Sequence, residues 1–252
     1  MAKFEGKSAI VTGGGSGIGR EVCLLLASKG AFVSVVDLSE EGGMETVRQI
    51  EEKGGKAIFV QADVSKVEDV KRYIEETKKA FGKIDMFFNN AGVEGAVAPI
   101  AEYPDDAFEK VININLKGAF YGLKYVIQAM LENGGGSIVN TASNAGLVGS
   151  PGVGPYAATK HGVIGLTKTA TGEYADKNIR INAIAPGPTA TNMMERFTKG
   201  SKEAEAAIKE GIPAKRYGTP KEVANLVVFL LGDDAEIING AVYPIDGGLT
   251  AL

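Results

Sequence analysis

The stretch "YAATKH" at 156–161 brings a tyrosine, a lysine and the chain's single histidine close together. Histidine ordinarily titrates near pH ~6.5 and tyrosine near ~10, so His161 is the group first expected to carry a proton at neutral pH. Helical spacing points elsewhere. "GPYAATKHGVIGLTKTATGEYA" reads as one long helix entered through Pro155. Residues i and i+4 lie roughly 6 Å apart on one helix face, so Lys160 stands over Tyr156, while His161 is offset from Lys160 by about 100°. An ammonium that close favours phenolate and is expected to lower the Tyr156 pKa towards the range useful for acid/base work. His161 reads as a packing or intersubunit residue, or as a substrate-side one. Upstream, Ser143 ends a predicted strand, where its hydroxyl could hydrogen-bond a substrate oxygen that becomes alkoxide-like.

A second constellation lies near the N-terminus. "VTGGGSGIG" (11–19) follows an apolar run and opens a helical pattern. Glycines there permit a tight turn and close backbone approach, and a helix start offers free N–H groups to a phosphate. The anchors Gly13, Gly17 and Gly19 are spaced more widely than G-x-G-x-x-G. Asp37 ends the next predicted strand, near the ~20-residue distance at which an acid accepts hydrogen bonds from an adenosine ribose. Its charge would repel a 2′-phosphate, and Leu38 after it supplies no cation, so NAD(H) is expected over NADP(H). Asp37 also reads as a helix cap. "EGKS" (5–8) resembles the end of a P-loop, but it precedes the strand and lacks the first glycine.

The elements that must position these groups alternate. Strands are predicted at 8–12, 32–37, 57–63, 84–90, 136–143, 179–186 and 240–246, with helices near 17–29, 40–53, 66–81, 105–132, 155–176 and 219–232. Most strands are apolar on both faces, which predicts a doubly wound parallel α/β sheet of seven strands covered by helices on both sides, in a single domain over 1–252. Residues 187–214 are long for a connection and read as a lid. The chain is 44% hydrophobic with a net charge of −4 and scattered basic residues, so it shows no nucleic-acid footprint. Cys23, the single cysteine, sits in an apolar helical pattern and excludes an internal disulfide. No metal-ligand cluster, membrane span or signal peptide is evident, and a cytoplasmic enzyme is expected.

"TGGGSGIG" (12–19), "NNAG" (89–92), "NLKG" (115–118), Ser143, "YAATK" (156–160) and "PGPTAT" (186–191) together resemble the short-chain dehydrogenase/reductase family over essentially the whole chain. Within it, "FFNNAGVEG", "IRINAIAPG" and "VVFLLGDDA" look closest to NAD-linked cyclic-ketone and secondary-alcohol dehydrogenases. The resemblance implies a Rossmann-type fold and a site set. Gly13, Ser16, Gly17, Ile18 and Gly19 would hold the diphosphate, Asp37 and Leu38 the adenosine ribose, and Asp63 and Val64 the adenine. Asn90, Ala91 and Gly92 would line the cofactor. Pro186, Gly187, Thr189 and Thr191 would flank the nicotinamide; the family often has a branched aliphatic at 189, which leaves open whether 189 or 191 makes the main contact. Ser143, Tyr156 and Lys160 would be catalytic, with Lys160 on the nicotinamide ribose. Asn115, chosen over Asn113 for its N-L-x-G context, would support a water-linked proton path from Lys160. Homotetramers through the helices at 105–132 and 155–176 are also implied.

For the substrate, Val93, Glu94, Gly95, Ala96, Val97 and residues 144–148, including Asn144 and Val148, could line one wall. Met193, Met194 and Phe197 could cover it with an apolar lid suited to a cyclic or aliphatic compound, or could simply pack within their loops. Glu94 reads as an exception that is either polar wall or solvated. The leading expectation is a secondary alcohol/ketone oxidoreductase. The alternatives are a 3-oxoacyl-thioester reductase, against which Asp37 argues, and a non-catalytic NAD-binding regulator, against which Ser143, Tyr156 and Lys160 argue.

Overall fold

The β-branched runs pair as parallel strands. They are β1 (Ser8–Thr12), β2 (Phe32–Asp37), β3 (Lys56–Gln61), β4 (Met86–Asn89), β5 (Gly136–Thr141), β6 (Ile179–Pro186) and β7 (Val242–Ile245). Their order is β3-β2-β1-β4-β5-β6-β7, with every neighbouring pair parallel. This computed structural model describes residues 3–251; residues 1, 2 and 252, the ends of the expected domain, lie outside the described residues. Because the strand order turns back between β1 and β4, their carboxyl ends open a crevice, the place where such sheets bind ligands.

Helices cover both faces. On one side α1 (Gly17–Ser28), α2 (Glu40–Glu51) and α9 (Pro220–Leu231) bury Val22, Leu26, Val47, Ile50 and Val227 against the sheet. On the other, α3 (Val67–Phe81), α5 (Gly118–Glu132) and α6 (Gly154–Tyr174) bury Tyr73, Ile74, Val126, Met130 and Ala170. Cys23 is buried in the first of these layers, and burial pushes its thiol far above the ordinary range, so it is a packed side chain.

Two expectations change in detail. The helix foreseen across 105–132 is α4 (Asp105–Val111), a π-helical turn (Ile112–Lys117) and α5. The widened turn carries Asn115, whose amide bonds both the N–H and the carbonyl of Val93, each at 2.8 Å. The long connection at 187–214 carries two helices that were not foreseen, α7 (Asn192–Thr198) and α8 (Lys202–Gly211). Thr191 caps the first and Ser201 the second through their side-chain oxygens.

A buried polar chain ties α6 to the centre of the sheet. Asn89 donates to Asn140 at 3.0 Å, Asn140 donates to Thr167 of α6 at 2.9 Å, and Thr167 donates to the Val163 carbonyl. Asn140 and Thr167 are fully buried, so neither can turn to water. Thr167→Val keeps the shape but leaves the Asn140 amide N–H unpaired. A loss of about 1–3 kcal/mol in urea unfolding is expected; an unchanged midpoint would show that the chain contributes no stability.

Candidate active site

The carboxyl ends of β2, β5 and β6 and the loops that follow β1, β3 and β4 line one cavity of about 560 Å³ along the carboxyl edge of the sheet. At its first end, the chain leaves β1 through Gly13, whose φ of 67° is left-handed, and the Gly14 N–H bonds the Val36 carbonyl at 3.1 Å. A side chain at Gly19 would collide with the carbonyl oxygen of Gly13, so the loop closes only on glycine. Ser16 precedes the first residue of α1, and the cavity is lined by Gly13, Ser16, Gly17, Ile18 and Gly19. Unpaired N–H groups and the positive helix end therefore face the space, the environment a diphosphate requires.

Asp37 is fixed beside this loop. Its Oδ2 accepts from the Gly15 N–H at 2.8 Å and its Oδ1 from the Ser39 N–H at 2.9 Å, while Ser39, not Asp37, caps α2. A carboxylate has lone pairs to spare after two such bonds and can still accept from hydroxyls. Arg20 of α1 is committed to Thr46 at 3.0 Å, to the Gly42 carbonyl at 3.2 Å and to the Gly15 carbonyl. Leu38, 66% exposed, flanks the opening, and Asp63 and Val64 line it from beyond β3. Asn90 stitches the floor: its amide donates to the Thr12 carbonyl at 3.0 Å and accepts from Thr141 at 3.1 Å. Ala91 and Gly92 follow it along the cavity, and Pro186, Gly187, Thr189 and Thr191 form the facing side. Thr189 is buried and bonds back to the Gly187 carbonyl, whereas Thr191 caps α7 and would touch any side chain placed at Gly17.

At the far end stand Ser143, Tyr156 and Lys160. Ser143 leaves β5 into a short 3-10 turn, with its hydroxyl accepting from the Ala145 N–H at 3.2 Å and donating to Asn144 at 3.0 Å. This turn is why β5 stops short of 143. One helical turn apart, Lys160 lies over the ring of Tyr156, with Nζ 5.5 Å from its centroid, and donates to the Thr141 carbonyl at 2.8 Å. Asn115 does not line the cavity. It sits behind Gly92, where an added Cβ would lie 3.2 Å from Asn115 Oδ1 and 3.7 Å from Lys160 Nζ. Both functional atoms of Asn115 are spent on Val93, so Asn115 makes no direct bond to Lys160.

The expected lowering of the Tyr156 pKa is not found in the cavity as it stands. Burial pushes the phenol above its ordinary value and outweighs the nearby Ser143 hydroxyl, which pulls it down; the charge of Glu94 pushes it up further. The lysine that was expected to lower it is itself desolvated. Burial lowers the Lys160 pKa from 10.5 to about 8. His161 is exposed, with its Nδ1 3.0 Å from the Ala157 carbonyl one turn back, and it lies outside the cavity.

The remaining wall differs from the sequence reading in six residues, since Gly95, Ala96, Val97, Gly146, Leu147 and Val148 do not line the cavity. Val148 is exposed beyond the 3-10 turn, and Gly95, Ala96 and Val97 turn away because the loop folds onto Tyr103, whose hydroxyl accepts from the Ala96 N–H at 2.9 Å. Glu94, Val93, Asn144, Met193, Met194 and Phe197 do line the cavity. So do Ser150, Val153, Asn192, Arg196 and Ile208, which carried no signal in the sequence. Of these, Arg196 pairs with Glu94 across the mouth, and helical spacing within 192–198 contains nothing that would reveal a partner so distant in sequence.

The buried ammonium has a measurable consequence. With a folded pKa of about 8 against 10.5, the unfolded chain holds more protons between those values, so stability from this group rises with pH across that window. Lys160→Met should therefore stabilise the cofactor-free protein by about 3 kcal/mol at pH 7 and progressively less as pH approaches 10.5. Denaturant melts at both pH values check this; a destabilised variant at pH 7 would contradict it.

Comparison with known proteins agrees with this geometry. Residues 13–250 match a family described as enoyl-(acyl carrier protein) reductase. The chain is 43% identical over 249 residues to the cyclohexanol dehydrogenase of Acinetobacter sp. (strain SE19), covering 99% of this chain and 97% of that one. The crystal structure of levodione reductase superimposes with a TM-score of 0.95 at 44% identity, covering 98% of this chain and 99% of the other. That of NAD+-bound xylitol dehydrogenase does so with a TM-score of 0.94 at 39% identity, covering 98% and 100%. With the parallel sheet, the glycine loop and this likeness along its length, the chain belongs to the short-chain dehydrogenase/reductase family.

Proposed function

We propose that the protein is an NAD(H)-dependent oxidoreductase that interconverts a secondary alcohol and a ketone, cyclic or aliphatic. The observation that carries this reading is that Tyr156 and Lys160 meet in the same cavity that begins at the glycine loop and Asp37. The first end fits a dinucleotide: a loop that only glycine can close, a helix start with free N–H groups, and a fixed carboxylate with spare lone pairs. Gly13, Ser16, Gly17, Ile18 and Gly19 would hold the diphosphate, Asp37 and Leu38 the ribose, and Asp63 and Val64 the adenine. Asn90, Ala91 and Gly92 with Pro186, Gly187, Thr189 and Thr191 would surround the nicotinamide end. Arg20 is already committed to the loop's carbonyls, and among the described residues no Lys or Arg lines the cavity beside Asp37, which favours NAD(H) over NADP(H).

When bound, NADH supplies the hydride and NAD+ accepts it. The chain's own groups handle the oxygen and the proton. Ser143 would hydrogen-bond the substrate oxygen and stabilise its developing charge. Tyr156 would donate its hydroxyl proton to that oxygen in reduction and accept one in oxidation. Lys160 would hold the nicotinamide ribose and favour phenolate, and Asn115 would fix the Val93 backbone beside it and support a water-linked path for the proton. Met193, Met194 and Phe197 of the segment 187–214 would act as an apolar lid, opposite Val93 and Asn144. The names of the relatives, cyclohexanol dehydrogenase and levodione reductase, support a cyclic substrate.

A homotetramer formed through α4–α5 and α6 is consistent with the exposed Phe108 and Phe120 and with Gly165 and Gly172, where no atom lies within 4 Å of an added Cβ. No helix among the described residues is long and apolar enough to cross a membrane, and we place the enzyme in the cytoplasm as part of this reading.

NADH oxidation with a panel of cyclic ketones, aliphatic ketones and an acetoacetyl thioester tests the function. Cyclic ketones with NADH are expected to be the best pair; preference for the thioester with NADPH would replace this reading with 3-oxoacyl reduction. Tyr156→Phe should lose on the order of 10³-fold in kcat yet retain NADH binding measured by fluorescence. Wild-type turnover in that variant would remove Tyr156 from the mechanism.

A further inference from the structure

Val93, Val153, Met193, Met194 and Phe197 give the substrate end of the cavity an apolar wall, yet the same wall holds an ion pair. Arg196 of α7 reaches Glu94 in the loop after β4 with two arms of its guanidinium, Nε to Oε1 at 2.7 Å and Nη2 to Oε2 at 3.1 Å. Both residues line the cavity that holds Tyr156, and Glu94 is near enough for its charge to act on the phenol. The pair does not use up its own hydrogen-bonding capacity. A guanidinium carries five N–H groups, and Glu94 takes two of them. Both N–H groups of Nη1 and the second of Nη2 have no protein partner among the described residues. Each Glu94 oxygen accepts one bond from Arg196 and keeps further lone pairs.

Charge balance limits what such a pair recognises. The Glu94 side chain is 21% exposed; burial pushes its carboxyl up, but the Arg196 hydrogen bonds more than offset this and hold it below the ordinary carboxylate value. The carboxylate is therefore ionised and neutralises the guanidinium, so this wall offers no net positive charge to a carboxylate or a phosphate. What it offers is a set of directional donors and acceptors to a neutral molecule. A carbonyl oxygen there accepts from Nη1, and a hydroxyl also donates to Glu94. A hydrocarbon in the same place strips water from the spare N–H groups and returns no bond, and an unpaired donor is costly. Sites with polar groups to satisfy discriminate strongly against analogues that lack the matching oxygen.

We propose that Arg196 and Glu94 form a specificity subsite for a second oxygen, carbonyl or hydroxyl, on a neutral substrate whose first oxygen lies at Ser143 and Tyr156. Arg196 is the main donor, and Glu94 both orients it and accepts from a hydroxyl. The substrate class is then a dione, a hydroxyketone or the corresponding diol rather than a plain ketone or alcohol. The identity of the reacting oxygen rests on the dehydrogenase reading, whereas the subsite for the other oxygen does not.

Reduction of matched ketones with NADH reads the subsite as a ratio. Wild type should show a kcat/KM about tenfold higher for 1,4-cyclohexanedione and 4-hydroxycyclohexanone than for 4-methylcyclohexanone, a ring of similar bulk. Differences in intrinsic reactivity cancel when variants are compared. In Arg196→Met the ratio should fall about tenfold, chiefly through KM of the oxygen-bearing ketones, and Arg196→Lys should recover part of it because a donor returns. A general loosening of α7 would lower all three ketones together and leave the ratio unchanged. A wild type without the preference, or an unchanged ratio in Arg196→Met, overturns the subsite. Binding gives a readout free of turnover. In 15N NMR of the protein with saturating NADH, the Arg196 Nε–H signal, identified by its loss in Arg196→Met, should shift with 1,4-cyclohexanediol and not with 4-methylcyclohexanol. The same response to both alcohols overturns the proposal. If no ketone is reduced, the dehydrogenase reading fails, and the diol titration still decides the subsite.

Discussion

A lysine ammonium held inside the protein on one backbone carbonyl is the constraint from which the rest of the site follows. Lys160 is 4% exposed, donates to the Thr141 carbonyl and forms no ion pair among the described residues. Desolvation makes that arrangement unfavourable, and burial accordingly pulls its pKa to about 8. A fold keeps such a group only by over-determining its surroundings. Here α6 is locked to β5 through Thr167 and Asn140, and β5 to β4 through Asn89, so the lysine and the tyrosine one turn before it cannot retreat towards water. The site is built at the expense of apo-protein stability, a common arrangement where charge must be ready for a ligand.

The cavity has two physically different ends. At the glycine loop, recognition comes from backbone: left-handed glycine, free N–H groups and a carboxylate oriented by two N–H donors. These parts belong to the ends of buried strands. At the substrate end, one wall is fixed by Asn115 and the turn after Ser143, while the other is carried by α7, joined to the first through the Arg196–Glu94 pair. On the proposed reading, cofactor binding would follow from the sheet ends, and substrate choice from the segment 187–214 together with the wall facing it.

Much of this was legible in the residues. Seven apolar runs separated by helical patterns imply the parallel sheet, because only strands buried on both faces read that way. The i, i+4 rule brings Lys160 to Tyr156 and turns His161 aside, and glycine spacing marks the loop. What spacing does not carry is solvent. Proximity alone implied a lowered phenol pKa at Tyr156, whereas burial of the phenol reverses the direction. Nor does periodicity reveal the π turn that aims Asn115 at Val93, the folding of Gly95–Val97 onto Tyr103, or the pairing of Glu94 with Arg196. Each depends on a contact between segments distant in sequence.

The central claim is that Tyr156 becomes a competent acid and base through charges the site assembles, rather than through its own helix alone. The most direct measurement is a 13C NMR titration of the labelled Tyr156 ring carbon bearing the hydroxyl, in the free protein and with saturating NAD+. The free protein is expected to titrate above the ordinary tyrosine value of about 10, and the NAD+ complex clearly below it. An identical titration in the two states would contradict the account.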